Sequence, residues 1–223
     1  MITFQQFRNS IQHTVYLIID RPVRLMVRLG VTPNMITTVG LLGNLIAAAL
    51  FIYSALYVPA DNYTYVGLAG LVCILFSIFD MVDGYMARTA GLTSTFGAFY
   101  DSVLDRYCEL FVLSGMAFYF VQHGYALGAV VTFLSLIGSI MVSYVRARAE
   151  GLGLDCKVGL MQRPERVVLT SLGAMLCGLL APSVTNVFSP IWILLVPQIL
   201  IALLANYTAF VRIRHVYKQL SKQ

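Results

Sequence analysis

Two pairs of aspartates stand at helical spacing in this chain. Asp80 and Asp83 are three residues apart, and Asp101 and Asp105 are four apart. Either step places both carboxylates on one face of a helix. The flanking runs, residues 71–79 and 110–121, are apolar. Each pair is therefore expected on a hydrophobic helix, with a short loop between the two. An unpaired Asp at mid-bilayer costs about 2.5–3.5 kcal/mol on insertion scales, and less near the interface. Four clustered carboxylates also repel one another. Divalent cations relieve both problems, because hard oxygen ligands suit Mg²⁺, Mn²⁺ or Ca²⁺. Arg88 adds a fixed cation suited to a phosphate held by metals. Gly84 and Gly97 let a ligand or another backbone come close. The plainer reading of the same acids is pairing with buried arginines inside a helix bundle.

Composition says what must hold these groups. Of 223 residues, 59% are hydrophobic and 11% charged, and the mean hydropathy is +0.80. That places the chain among integral membrane proteins, and its net charge of +5 reads as an orientation signal rather than a nucleic-acid one. No cleavable signal is expected, since Arg8, Arg21, Arg24 and Arg28 are spread through the first 28 residues. The four cysteines form no C-x-x-C pair and read as small hydrophobes. The histidines show no ligand spacing.

In chain order, Phe4, Phe7, Ile11, Val15, Ile18 and Ile19 recur at three- and four-residue steps, and a basic face follows. Residues 1–29 are expected as an amphipathic juxtamembrane helix in the interface plane, with Pro22 able to divide it. Residues 30–223 are expected as one transmembrane domain. Its spans are predicted near 34–57, 63–86, 97–121, 125–147, 164–181 and 189–211, with Pro182 ending the fifth. Residues 146–166 are expected as a polar loop, and Arg212, Arg214, Lys218 and Lys222 as an exit tail. Glu109 is expected to partner a buried cation. The fold class is thus an all-α membrane protein, with six transmembrane helices and an N-terminal amphipathic interfacial helix. Thr32 before Pro33 marks a helix start. Such an N-terminus, with Asn34 and Thr37, is either a plain cap or a phosphate contact.

Charge sets the orientation. The connections near 58–62, 122–124 and 182–188 hold no Lys or Arg. With six spans, all fifteen basic residues fall on the side of the aspartates, and the positive-inside rule makes that side cytoplasmic.

The stretch reads D-x-x-D-G-x-x-A-R, eight residues, then G-x-x-x-D-x-x-x-D. It resembles the signature of the CDP-alcohol phosphotransferases at Asp80, Asp83, Gly84, Ala87, Arg88, Gly97, Asp101 and Asp105. The resemblance implies a CDP-lipid donor, CDP-diacylglycerol, with CMP leaving. It implies that Asp80, Asp83, Asp101 and Asp105 hold the metal, Mg²⁺ with Mn²⁺ as the alternative, and that Asp105 is also the general base. It assigns the CDP-lipid to Asn34, Met35, Ile36, Thr37, Gly84, Arg88 and Ser94. Further on, S-Y-V-R-A-R-A-E-x-x-G-L and R-P-E-R resemble the prokaryotic phosphatidylinositol-phosphate synthase branch. That implies inositol phosphate as acceptor, with Arg146, Arg148, Arg163, Arg166 and Arg212 around its phosphate. Composition alone would make these arginines a positive-inside anchor. On an ideal helix Arg146 and Arg148 point about 200° apart, so only one can squarely face a shared pocket. Arg146 departs from the Lys expected in many relatives. The resemblance further implies a homodimer in the cytoplasmic membrane of a prokaryote, with the site facing the cytoplasm.

Other readings are a related synthase making phosphatidylinositol or phosphatidylglycerophosphate, a divalent-cation transporter, and a non-catalytic lipid-binding protein. Arg106-Tyr107 after Asp105, rather than D-K-L, argues against glycerol phosphate. A transporter would need acids continuing across the membrane, and the fourth to sixth segments supply none. A lipid-binding protein would not need four aspartates.

Overall fold

The computed structural model describes residues 19–185 and 187–221. These residues form seven α-helices and no strand: α1 (residues 19–28), α2 (Pro33–Tyr57), α3 (Thr64–Thr89), α4 (Thr95–Gln122), α5 (Ala126–Glu150), α6 (Arg163–Val184) and α7 (Ile191–Leu220). Five of them, α2, α3, α5, α6 and α7, are long and apolar enough to cross a membrane. At 28 residues α4 is as long, but Asp101, Asp105, Arg106 and Glu109 load its first half with charge. The apolar repeat expected over residues 3–18 lies outside the described residues. Its continuation, α1, is helical through Pro22 and packs Val23 against Ile36, Val82 and Met86. Asp20 accepts from Arg24 and from Tyr85 (2.8 Å), which holds its carboxyl below the usual carboxylate range.

The helices of the bundle touch in a closed ring: α2 on α3, α3 on α6, α6 on α7, α7 on α5, α5 on α4, and α4 back on α2. The core is built from Phe51, Val66, Met116, Phe120, Cys177 and Leu194. Small residues set the separations. A Cβ on Gly178 would stand 2.5 Å from the Gly67 backbone, so α3 and α6 meet main chain to main chain. This contact lies at the end of the pair opposite the aspartates, and the two helices also meet at the acidic end, where Arg163 of α6 reaches Asp80 of α3.

Three boundaries differ from the sequence expectation. Residues 146–150 are helical rather than loop, because the R-A-R-A-E run favours helix and Arg146 pairs with Glu150 at 2.8 Å, one turn on. The connection is thus shortened to 151–162. Pro182 does not stop α6, which runs to Val184. So near a C-terminus, a proline removes one backbone bond in a turn that is ending anyway. Of the basic tail, Arg212, Arg214 and Lys218 lie in the last part of α7, whose Gln219 donates to the Asp155 carbonyl at 3.0 Å, and Lys222 lies outside the described residues.

Candidate active site

The four aspartates, the α2 entry, Arg88, Ser94 and the expected acceptor arginines lie at one end of the bundle, where α2, α4 and α6 begin and α3, α5 and α7 finish. Thr32 caps α2, accepting from Met35 N. The Thr37 hydroxyl then donates to the buried Asp83 carboxylate at 2.6 Å, tying α2 to α3. The Thr38 and Tyr100 hydroxyls, 3.0 Å apart, tie α2 to α4. Ser94 caps α4 by accepting from Gly97 N at 2.9 Å. A Cβ at Gly97 would stand 3.3 Å from Asn34 Oδ1, so glycine lets this cap meet the α2 entry.

Asp80 and Asp105 face each other across α3 and α4 with Arg163, the first residue of α6, between them. Arg163 Nη1 lies 2.8 Å from Asp80 Oδ2 and 2.8 Å from Asp105 Oδ1. Among the described residues no three acids close into a ready-made metal cage, since Asp80 and Asp105 turn to Arg163 and Asp83 to Thr37. The donor set nonetheless fits a hard divalent cation. Four carboxylates face one another from two helices, and buried Asp105 Oδ1 has the Arg163 guanidinium beside it at 2.8 Å without an aligned hydrogen bond.

Three cavities meet at this cluster, and Asp101 lines all three. One, of about 210 Å³, lies over Asn34, Thr37, Asp83, Gly84, Arg88 and Ser94. A second, of about 380 Å³, is an apolar cleft between α3 and α6 bounded by Ile74, Ile78, Met81, Val167 and Val168, with Asp80 and Asp105 at its head. The third, of about 340 Å³, is lined by Arg106, Arg146, Arg163, Arg166 and Arg212 together with Asp105.

The expected residues divide accordingly. Asn34, Thr37, Gly84, Arg88 and Ser94 share the first cavity. Met35 and Ile36 do not line it: Met35 is exposed and Ile36 packs in the core beside α1, because successive helix positions turn away from Asn34 and Thr37. Of the five arginines, Arg146, Arg163, Arg166 and Arg212 line the third cavity. Arg148 is exposed and turned elsewhere, as two residues on a helix must be. Glu109 does hold a buried cation. Arg166 donates to it through Nε (2.7 Å) and Nη2 (3.0 Å) and is 2% exposed. Arg212 is anchored on the Val158 (2.8 Å) and Val142 (2.6 Å) carbonyls, which fastens the 151–162 connection to α5 and α7. Sequence reasoning missed Ser102, Ser143, Glu150 and Gln162, which line the arginine cavity. Ser143 stands one turn before Arg146 and Gln162 caps α6, so position relative to the arginines was the available signal.

This arrangement can be compared with known proteins. An archaetidylinositol phosphate synthase of Pyrococcus horikoshii is 35% identical over 158 residues, which is 70% of this chain and 76% of that protein. A Mycobacterium tuberculosis phosphatidylinositol phosphate synthase, crystallised with manganese and citrate, superposes with a TM-score of 0.75 at 28% identity, covering 88% of each chain. The same protein with CDP-DAG bound gives 0.74, covering 88% of this chain and 92% of that one. Residues 30–203 match the CDP-alcohol phosphatidyltransferase family, and with the aspartate helices, the cavities and these likenesses in agreement, the chain belongs to that family.

Proposed function

We propose that this chain is a phosphatidylinositol-phosphate synthase, transferring the phosphatidyl group from CDP-diacylglycerol to inositol phosphate with release of CMP. The observation that carries the reading is the meeting of three unlike cavities at Asp101, with Asp105 lining two of them. A donor with a nucleotide, a diphosphate and acyl chains needs a polar cleft and an apolar one joined at the reacting phosphorus. A phosphorylated acceptor needs a cationic cleft opening on the same point. The related mycobacterial synthase has been seen with CDP-DAG and with manganese.

In this reading Asn34, Thr37, Gly84, Arg88 and Ser94 hold the cytidine diphosphate, and the α3–α6 cleft receives the acyl chains. Asp80, Asp83, Asp101 and Asp105 would hold Mg²⁺ or Mn²⁺, and the chemistry supplied when the ion is bound is neutralisation of the diphosphate and of the departing CMP. Asp105 would take the proton from the attacking hydroxyl, a reading supported by its lining both the apolar and the arginine cavity. The acceptor oxygen forms a bond to the lipid-side phosphorus as the bond to the CMP oxygen breaks. The arginine cavity positions the acceptor phosphate, which carries about −1.5 to −2 charge at neutral pH and would otherwise be repelled by the aspartates.

Arg146 is the cleanest test of that cavity, since it is held by a half-exposed pair with Glu150, whereas Arg166 is locked to Glu109. Arg146→Ala is expected to raise the acceptor KM about ten- to hundredfold, the scale of one charge-assisted phosphate contact, with donor affinity unchanged. An unchanged acceptor KM in steady-state assays would make these arginines a topology anchor only.

We further propose that α4 is the sixth span, that residues 1–29 form an interfacial helix, and that residues 30–223 form one transmembrane domain in a prokaryotic cytoplasmic membrane. The connections at the far end, residues 58–63, 123–125 and 185–190, carry no Lys or Arg, which supports a cytoplasmic site. Cysteines placed at Ala60 and Thr185 are expected to label from outside, and at Leu92 and Lys157 from inside. The native Cys156 is fully buried and is unsuitable as a probe. A reversed pattern would overturn the orientation. A homodimer is carried by the family likeness, and a monomeric mass in mild detergent would contradict it.

A further inference from the structure

We propose that Arg163 is a resident counter-ion of the metal carboxylates, displaced into the arginine cavity when a divalent cation binds. The inference rests on the reading above that these carboxylates hold metal. One nitrogen, Nη1, lies 2.8 Å from a carboxylate oxygen on each acidic helix, Asp80 on α3 and Asp105 on α4. That is the point where oxygens of the two helices converge. A divalent ion such as Mg²⁺ needs its oxygens at about 2.0–2.1 Å, so the guanidinium and the ion compete for the same atoms. While it stays, Arg163 offsets the mutual repulsion of Asp80 and Asp105.

The neighbouring arginine shows what a permanent ion pair looks like in this protein. Arg166 spends Nε and Nη2 on the two oxygens of Glu109, approaches the Met161 carbonyl with Nη1, and is 2% exposed. Arg163 touches its two acids through a single nitrogen, its Nε is buried without a hydrogen-bond partner, and its side chain is 23% exposed. A planar fork used at one point is poorly satisfied and readily displaced. It also has somewhere to go. Arg163 is the first residue of α6, at the junction with the 151–162 connection, and lines the cavity of about 340 Å³ that holds Arg106, Arg146, Arg166 and Arg212. Metal binding would thus deliver one more guanidinium to the place where the acceptor phosphate is bound. By linkage, metal and acceptor favour each other's binding.

The test is Mn²⁺ binding to the purified full-length protein, without donor or acceptor, by calorimetry or by the electron-spin signal of unbound Mn²⁺. Arg163→Gln is expected to bind Mn²⁺ about tenfold more tightly than wild type, the scale of one charge-assisted contact removed. Arg106→Gln is the control. It removes the same charge from the same cavity, but its guanidinium bonds to Ser102 rather than to an acid, so its affinity should stay within about threefold of wild type. After chelation, Arg163→Gln should unfold at a lower temperature than wild type, with the gap closed by saturating Mn²⁺. Unchanged or weaker Mn²⁺ binding in Arg163→Gln would overturn the proposal, as would equal tightening in Arg106→Gln. If Arg163→Gln does not purify, Arg163→Met is used. Variants that fold only with Mn²⁺ present support the proposal, and variants that fail with or without it make Arg163 a structural residue. Wild type binding no Mn²⁺ would instead overturn the metal assignment itself.

Discussion

Asp105→Asn is expected to lower turnover by about 10²–10⁴-fold, the usual contribution of a positioned base, while CDP-diacylglycerol binding stays within a few-fold. Asparagine has nearly the same shape, so the packing against α3 and α6 is preserved, and its amide oxygen can still face the ion and Arg163 while the proton acceptor is lost. The placement makes the effect large. Asp105 stands where the apolar and arginine cavities meet, with its side chain 17% exposed. Asp80→Asn, Asp83→Asn and Asp101→Asn are expected to differ in kind, weakening metal binding together with activity. Comparing single-turnover rates with equilibrium binding of labelled donor separates the two behaviours. Turnover in Asp105→Asn within tenfold of wild type would remove it as the base.

The second large effect concerns stability. Glu109→Gln leaves the Arg166 guanidinium buried without its countercharge, and breaking a buried pair in this way costs about 3–5 kcal/mol. For a chain of this size that corresponds to a drop on the order of 10 °C in unfolding temperature. The same change should raise the acceptor KM, because Glu109 fixes the direction of Arg166 at the cavity wall; Glu109 is a positioning residue. The double variant Glu109→Met with Arg166→Met should recover most of the lost stability, since an apolar replacement of both partners avoids the unpaired charge, yet still bind the acceptor poorly. Thermal unfolding in detergent beside acceptor kinetics reads both. An unfolding temperature within about 2 °C of wild type for Glu109→Gln would show that the pair contributes little.

The aspartate helices were legible because their signal is local. Spacings of three and four residues, apolar flanks and a small-residue loop fix which side chains share a face, and the family resemblance rests on those same positions. The Thr32-Pro33 start of α2 and the Ser94 start of α4 are likewise short-range signals. What could not be read depends on distant partners. Arg163 and Arg166 look equivalent in sequence, both arginines on one turn of α6. The fold gives Arg166 a partner 57 residues away in Glu109, and sets Arg163 between Asp80 and Asp105. A clean division, with acidic helices for the donor and arginines for the acceptor, therefore does not hold at Arg163, which touches both. Met35 and Ile36 illustrate a second limit: adjacent positions in a matching motif need not share a face. The polar run 146–150 illustrates a third. Charge marks where a helix leaves the apolar layer, not where it unwinds, and the Arg146–Glu150 pair carries α5 past that point.

The most direct test of the central reading offers purified protein, with Mg²⁺ or Mn²⁺, labelled CDP-diacylglycerol and one acceptor at a time: inositol phosphate, free inositol, glycerol phosphate or serine. The expected result is metal-dependent CMP release with a labelled phosphatidylinositol-phosphate product only where inositol phosphate is present. Comparable turnover with free inositol or glycerol phosphate would contradict the acceptor assignment, and no CMP release with any acceptor would contradict the synthase reading as a whole.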